Sequence, residues 1–168
     1  MGALVKLIDA ILFLFFVVMA LAVPLIDSQM LLSPEFYPAF LVDLKQWYTT
    51  EYGDYLLAEK PHFLVGLVWL EVLFQWPLSI VNIFGILCSK PWFNTTCLIY
   101  GVSVATSMTA VLAELMGSGK ASEKLMMMYS PFMGLGVLAF LRGLIPCSSS
   151  KTGLALSKRP ALPRKKRA

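Results

Sequence analysis

Four long stretches of the chain are mostly apolar: 7–26, 63–87, 97–116 and 125–145. Each is close to the ~20 residues that cross a bilayer as a helix. Polar turns separate them, and no strand-like two-residue alternation appears, so the pattern predicts an α-helical bundle rather than a barrel. Pro24, Pro77, Pro131, Gly101, Gly134 and Gly136 fall inside these stretches. Neighbouring helices can satisfy the backbone groups that such residues free. In the long first connection, Phe40, Leu41, Leu44, Trp47 and Tyr48 recur at helical spacing on one face, and Asp43, Lys45 and Gln46 take the other. Pro38 suits the first helical position, where its missing N–H costs nothing. This predicts a short amphipathic helix lying on the bilayer or on the mouth of the bundle. It is either an interfacial helix with an aromatic belt or a lid over a pocket. No internal repeat is visible.

Composition narrows the class. The 168 residues are 58% hydrophobic and 14% charged, with a mean hydropathy of +0.72. Soluble domains carry about 25% charged residues, so too little charge is present to cover a surface facing water. General disorder is excluded, and three cysteines make no disulfide scaffold. The expected fold is all-α: a four-helix transmembrane domain over 1–147 with a structured lumenal loop, followed by a disordered basic tail over 148–168.

Charge placement gives the orientation. Ten basic residues (Lys6, Lys90, Arg142 and seven in the tail) collect on one side, and four (Lys45, Lys60, Lys120 and Lys124) on the other. An excess of Lys and Arg marks the cytoplasmic side, so both termini are expected there and the acidic first loop in the lumen. Ala20-Leu21-Ala22 also fits a signal cleavage site; a single Lys6 before the apolar run and Asp9 within it favour retention. Cys88, Cys97 and Cys147 are then at cytoplasmic helix ends, as reduced thiols, with palmitoylation an alternative for Cys147. Asn94-Thr95-Thr96 is an acceptor match on the side where glycans are not added. Lys165 and Lys166, fourth and third from the end, resemble a dilysine retrieval signal and suggest residence in the endoplasmic reticulum. The basic tail suits anionic membrane lipids and needs no nucleic acid.

Charged and polar groups inside spans are functional candidates by default. Glu71 is about eight residues into the second span, with Gln75 one turn along the same face. Pro77 cannot donate to the carbonyl of Leu73, leaving an acceptor beside that stripe. Asp27 ends the first span just after Pro24. It is either an interfacial acid or half of a cation-binding pair with Glu71, two carboxyls off water sharing one proton. Depth counting separates them unless the first helix bends inward. Glu114, Tyr100, Ser107, Thr109 and Tyr129 read mostly as contacts between helices. His62 is the single histidine, which excludes multi-histidine metal sites. No nucleotide loop or nucleophile elbow appears, and no cofactor is implied.

Taken together, Leu25-Ile26-Asp27, Pro34-Glu35-Phe36-Tyr37-Pro38, Leu44-Lys45-Gln46-Trp47-Tyr48, Asp54-Tyr55-Leu56-Leu57 and Glu71-Val72-Leu73-Phe74-Gln75-Trp76-Pro77 resemble the sigma-2 receptor family of the EXPERA superfamily. Trp92, Ile99-Tyr100 and Tyr129-Ser130-Pro131-Phe132 extend the likeness. The resemblance implies a pocket that opens toward the membrane and takes sterols or cationic amphiphiles, with Asp27 facing the ligand amine beside Glu71. It implies pocket-lining places for Gln75, Tyr48, Tyr129 and Ser107, the last standing where the family has threonine. Asp54 matches a structural acid of the lumenal loop. The superfamily also includes a sterol isomerase, whose branch carries a histidine one turn before the second-span glutamate. That position is Leu67 here, so a binder, not an enzyme, is expected. A membrane-protein partner or a homodimer fits a third role, as a scaffold.

Overall fold

The structure is a computed structural model, and it describes residues 2–145. The basic tail with Lys165 and Lys166, and Cys147, lie outside them. Helix α1 (Ala3–Leu25) is followed by short 3-10 turns at Asp27–Met30 and Pro34–Phe36, then α2 (Ala39–Tyr52) and α3 (Tyr55–Glu59). Next come α4 (His62–Leu70), a π-helical turn (Glu71–Gln75), α5 (Trp76–Leu87), α6 (Phe93–Ser118) and α7 (Glu123–Leu144). Four stretches are long and apolar enough to cross a membrane: Ala3–Met30, His62–Leu87, Phe93–Ser118 and Glu123–Leu144. These are the four spans read from hydropathy, lengthened where charged or capping residues continue the helix. Ser122, for instance, accepts a bond from the Leu125 N–H and starts α7 ahead of its apolar run.

Two apolar clusters fill the bundle. One joins Leu12, Phe15, Phe16, Met19 and Val23 of α1 to Phe93, Cys97, Tyr100 and Val104 of α6 and Ala139 of α7. The Tyr100 ring meets Phe16 edge-on at 5.0 Å. The other cluster gathers Met30, Leu56, Leu64, Val68, Val111, Leu115 and Leu125 toward the end that carries the long connection. Val72 and Met108 pack against both.

The closest seam is between α6 and α7. A Cβ on Gly101 would lie 2.7 Å from the Cα of Phe140 and 2.8 Å from the carbonyl carbon of Ala139. A Cβ on Gly143 would lie 2.6 Å from the Cα of Leu98, and one on Gly136 would lie 2.9 Å from Val104 Cγ1. Without a hydrophobic drive between helices in lipid, this backbone approach is what holds a membrane seam together. Gly101→Val is therefore expected to destabilise the fold by about 3 kcal/mol, read as an earlier thermal transition in detergent. Gly134→Ala, where nothing lies within 4 Å, should leave that transition in place.

One local expectation is corrected. Pro38 is not the first helical residue but stands one position before it, with extended backbone. Its carbonyl accepts from the Leu41 and Val42 N–H groups. The second span is not one uninterrupted α-helix. Pro77 falls in the first turn of α5, and the chain reaches it through the π-helical turn, with the Trp76 N–H bonded to the carbonyl of Glu71.

Candidate functional site

The end of α1 brings Asp27 inward. After Pro24 the α-helix stops at Leu25 and tightens into the turn Asp27–Met30. The Ser28 hydroxyl donates to the Pro24 carbonyl at 2.7 Å, and Gln29 Nε2 donates to the Leu25 carbonyl at 2.7 Å. Side chains thus satisfy carbonyls that the broken helix would leave bare. Ser28, Gln29 and Met30 are all buried, so the chain tucks under the mouth of the bundle instead of leaving it. This is the inward bend that simple depth counting lacked.

The π-helical turn sets the opposite wall. It inserts one residue into the ladder between α4 and α5, a feature that recurs at functional sites. Leu67, Glu71 and Gln75 all point into one cavity. Gln75, 4% exposed, donates from Nε2 to the hydroxyls of Ser103 at 3.0 Å and Ser107 at 3.4 Å. A hydrogen-bonded amide between α6 and this turn fixes the spacing of the cavity floor.

The cavity has a volume of about 350 Å³, within the roughly 300–1,000 Å³ range of small-molecule sites. It lies where the two apolar clusters meet. Its walls are mostly apolar: Val18, Met19 and Ala22 from α1, Ile26 just after it, Val104 and Met108 from α6, Met128 and Phe132 from α7. All six of the binding candidates, Asp27, Tyr48, Glu71, Gln75, Ser107 and Tyr129, line it. Val18, Leu44 and Trp47 also line it yet are 46%, 44% and 57% exposed. The cavity therefore opens to the side beside Val18, on the apolar length of α1, and Leu44 and Trp47 of α2.

Helix α2 closes the top, and one residue on it was misplaced by its pattern. Leu41 is its buried residue, and Lys45 and Tyr48 follow at one-turn spacing. Lys45 faces the cavity rather than solvent, its Nζ donating to the Gln29 carbonyl at 3.1 Å. Burial pushes its ammonium below the ordinary lysine value, and Lys60 adds to this, while Asp27 opposes it. Phe40, on the apolar face that lies on the bilayer or on the bundle mouth, is 66% exposed. Tyr48 stacks at 4.8 Å on Tyr52. Burial, with the charge of Asp54 second, pushes its phenol up to about 12, so it remains a neutral hydrogen-bonding group at ordinary pH.

Asp54 is 1% exposed and holds the loop to the bundle. Gly53, in the left-handed region at φ 62, ends α2, and Asp54 then caps α3 by accepting the Leu57 N–H. Its second oxygen accepts the Tyr129 hydroxyl at 2.8 Å, so one cavity-lining group is positioned by one loop acid. The remaining polar positions divide. Ser107 and Tyr129 bond across elements, but Thr109 bonds the Ala105 carbonyl of its own helix. Glu114 is exposed, with its backbone carbonyl accepting the Tyr55 hydroxyl of α3 at 3.5 Å, and Tyr100 is fully buried among Phe15 and Phe16. His62 is exposed at the start of α4, away from the cavity.

At the other end of the bundle a buried ion pair appears. Arg142, 3% exposed, donates from Nε and Nη2 to the two carboxylate oxygens of Asp9 at 2.6 and 3.2 Å, and from Nη1 to Asn94 Oδ1 at 3.0 Å. Its guanidinium lies 5.2 Å over the Phe93 ring. Asn94 is thus built into the seam of the bundle.

Four apolar helices that enclose a cavity holding two carboxyls define the architecture of a multi-pass membrane protein with a cavity inside its bundle. Residues 40–143 match the EXPERA family (EXPanded EBP superfamily), and the chain belongs to that family. It is similar to Sigma intracellular receptor 2 of Xenopus tropicalis, 28% identical over 117 residues, 69% of this chain and 68% of that protein. The proteins of the same name from Homo sapiens and Macaca fascicularis are 32% identical over 88 residues, 52% of this chain and 50% of theirs. The stretch matched to these two primate relatives spans half of their length.

Proposed function

We propose that the protein binds sterols and cationic amphiphilic small molecules in this cavity, and serves sterol homeostasis or trafficking in the endoplasmic reticulum membrane. The observation that carries the reading is the meeting of Asp27 and Glu71 in one apolar cavity open to the side. A rigid apolar body fits the walls, and a charged or hydroxyl head fits the polar end. Asp27 is the counter-ion for an amine, with Glu71 sharing its proton and orienting it. Gln75, Tyr48, Tyr129 and Ser107 shape the rest of the polar end. Saturation binding of a radiolabelled sterol and of an amphiphilic amine to purified protein, wild type against Glu71→Gln, tests it. Weaker amine binding by the variant supports the reading; absence of saturable binding of either probe to the wild type removes it.

A second reading is a sterol isomerase, which one feature favours: two carboxyls could pass a proton between the faces of a bound sterol. Leu67 on the cavity wall speaks against it, because it supplies no base. Expressed in yeast lacking sterol isomerase, the protein is expected not to restore growth; restored growth would establish the enzyme.

Both termini are assigned to the cytoplasm on the charge asymmetry, and retrieval is assigned to Lys165 and Lys166. Asn94 is accordingly expected to carry no glycan, and Lys165→Ser with Lys166→Ser to release the protein to later compartments. An endoglycosidase-sensitive mobility shift that vanishes in Asn94→Gln would reverse the topology. An unchanged distribution of the double variant would remove the signal.

A further inference from the structure

A second cavity, of about 610 Å³, lies at the end of the bundle where α1 begins and α7 ends. Its walls come from all four spans and the turn between α5 and α6: Lys6, Asp9 and Phe13 of α1, Ile86 and Leu87 of α5, Lys90 in the turn, Phe93 of α6 and Arg142 of α7. The charges do not cancel. Arg142 and Asp9 neutralise one another in a bidentate pair. Lys6 and Lys90 have no acidic partner among the described residues, so the cavity carries two surplus positive charges. Asp9 and Asn94 take three of the five guanidinium N–H groups of Arg142, leaving one on each terminal nitrogen.

Apart from Ser89, the rest of the cavity is apolar and continues onto the outside of the bundle. Leu87 lines it and is 65% exposed, and Trp92, 39% exposed, stands in the adjoining turn, where indole rings mark a membrane interface. A soluble anion would use the charges and leave this wall bare. A phospholipid uses both, its phosphate against the cations and its glycerol and acyl carbons along Phe13, Ile86 and Leu87. Basic pockets between spans at the membrane surface take anionic headgroups in this way.

We propose that this cavity is a binding site for the phosphate headgroup of an anionic membrane phospholipid, held by Lys6 and Lys90 and bordered by the Asp9–Arg142 pair. It is separate from the cavity around Asp27 and Glu71, and shares no lining residue with it.

The test is a binding titration of the purified full-length protein in neutral detergent with dioctanoyl phosphatidic acid, dioctanoyl phosphatidylcholine and inorganic phosphate. Phosphatidic acid should bind saturably, and both other probes about tenfold more weakly or worse. Lys6→Gln with Lys90→Gln should weaken phosphatidic acid by about tenfold or more while its melting temperature without lipid stays that of the wild type. A variant with the tail cations Lys151, Lys158, Arg159, Arg164, Lys165, Lys166 and Arg167 changed to Gln should keep the site. Wild-type affinity in the Lys6/Lys90 variant, or loss only in the tail variant, would overturn the assignment. Inorganic phosphate binding as tightly as phosphatidic acid would make this a soluble-anion site, and equal binding of phosphatidylcholine a nonspecific lipid groove.

Discussion

Asp27→Asn should weaken the binding of an amphiphilic amine by about thirtyfold to several thousandfold, the effect of truncating one partner of a desolvated charge pair worth roughly 2–5 kcal/mol. The side chain keeps its size and its place at the end of α1, because the turn is held by Ser28 and Gln29, not by Asp27. Glu71→Gln should cost less, since a hydrogen-bonding group of similar shape remains. A neutral sterol forms no ion pair and should register either change weakly. Lys45 adds a sign of its own. It is the resident cation of the cavity, and an incoming amine must share Asp27 with it. Lys45→Met should tighten amine binding by about fivefold, matching the ~1 kcal/mol of a partly exposed charge interaction, and leave sterol affinity nearly unchanged. Well-folded Asp27→Asn protein that binds the amine as tightly as wild type would contradict this site. Equal losses for amine and sterol would assign both acids to holding the cavity together.

The second large effect concerns stability. Asp9→Leu leaves the buried guanidinium of Arg142 without its carboxylate, and loss of one partner of a buried pair costs about 3–5 kcal/mol. The thermal transition in neutral detergent should fall accordingly. Adding Arg142→Met to Asp9→Leu should recover most of the loss, because the uncompensated charge is gone and an unbranched apolar chain fills part of its space. If the double variant is no more stable than Asp9→Leu alone, the pair contributes through Asn94 and Phe93 packing and not through charge.

Legibility in the sequence followed the physics of each feature. The spans could be read because lipid demands a run of apolar residues whatever the neighbouring helices do. The family resemblance named six cavity-lining residues before their geometry was known, four of them in the block from Asp27 to Pro77. Their convergence was implied by that resemblance but could not be derived from the residues themselves, because it depends on a 3-10 turn tucked by Ser28 and Gln29, and on a π-helical turn at Glu71–Gln75. Pro24 and Pro77 announced a disturbance at both places but not which hydrogen bonds would replace those lost. Lys45 was assigned to the polar face of α2 although it stands midway between Leu41 and Tyr48, a stripe of 41, 45, 48 and 52 that the pattern already held. The Asp9–Arg142 pair joins residues 133 positions apart. Its one trace in the sequence was a lone acid in the first span and a lone base in the fourth, both near the end that carries the termini.

The central claim, one cavity for both ligand classes with Asp27 and Glu71 at its polar end, is tested most directly by competition. Purified wild-type protein would be loaded with a radiolabelled amphiphilic amine and titrated with unlabelled sterol, and the reverse. The expected result is full mutual displacement at about one bound molecule per chain, with the amine lost and the sterol retained in Asp27→Asn. Simultaneous binding of both probes without displacement, or amine binding that survives Asp27→Asn undiminished, would contradict it.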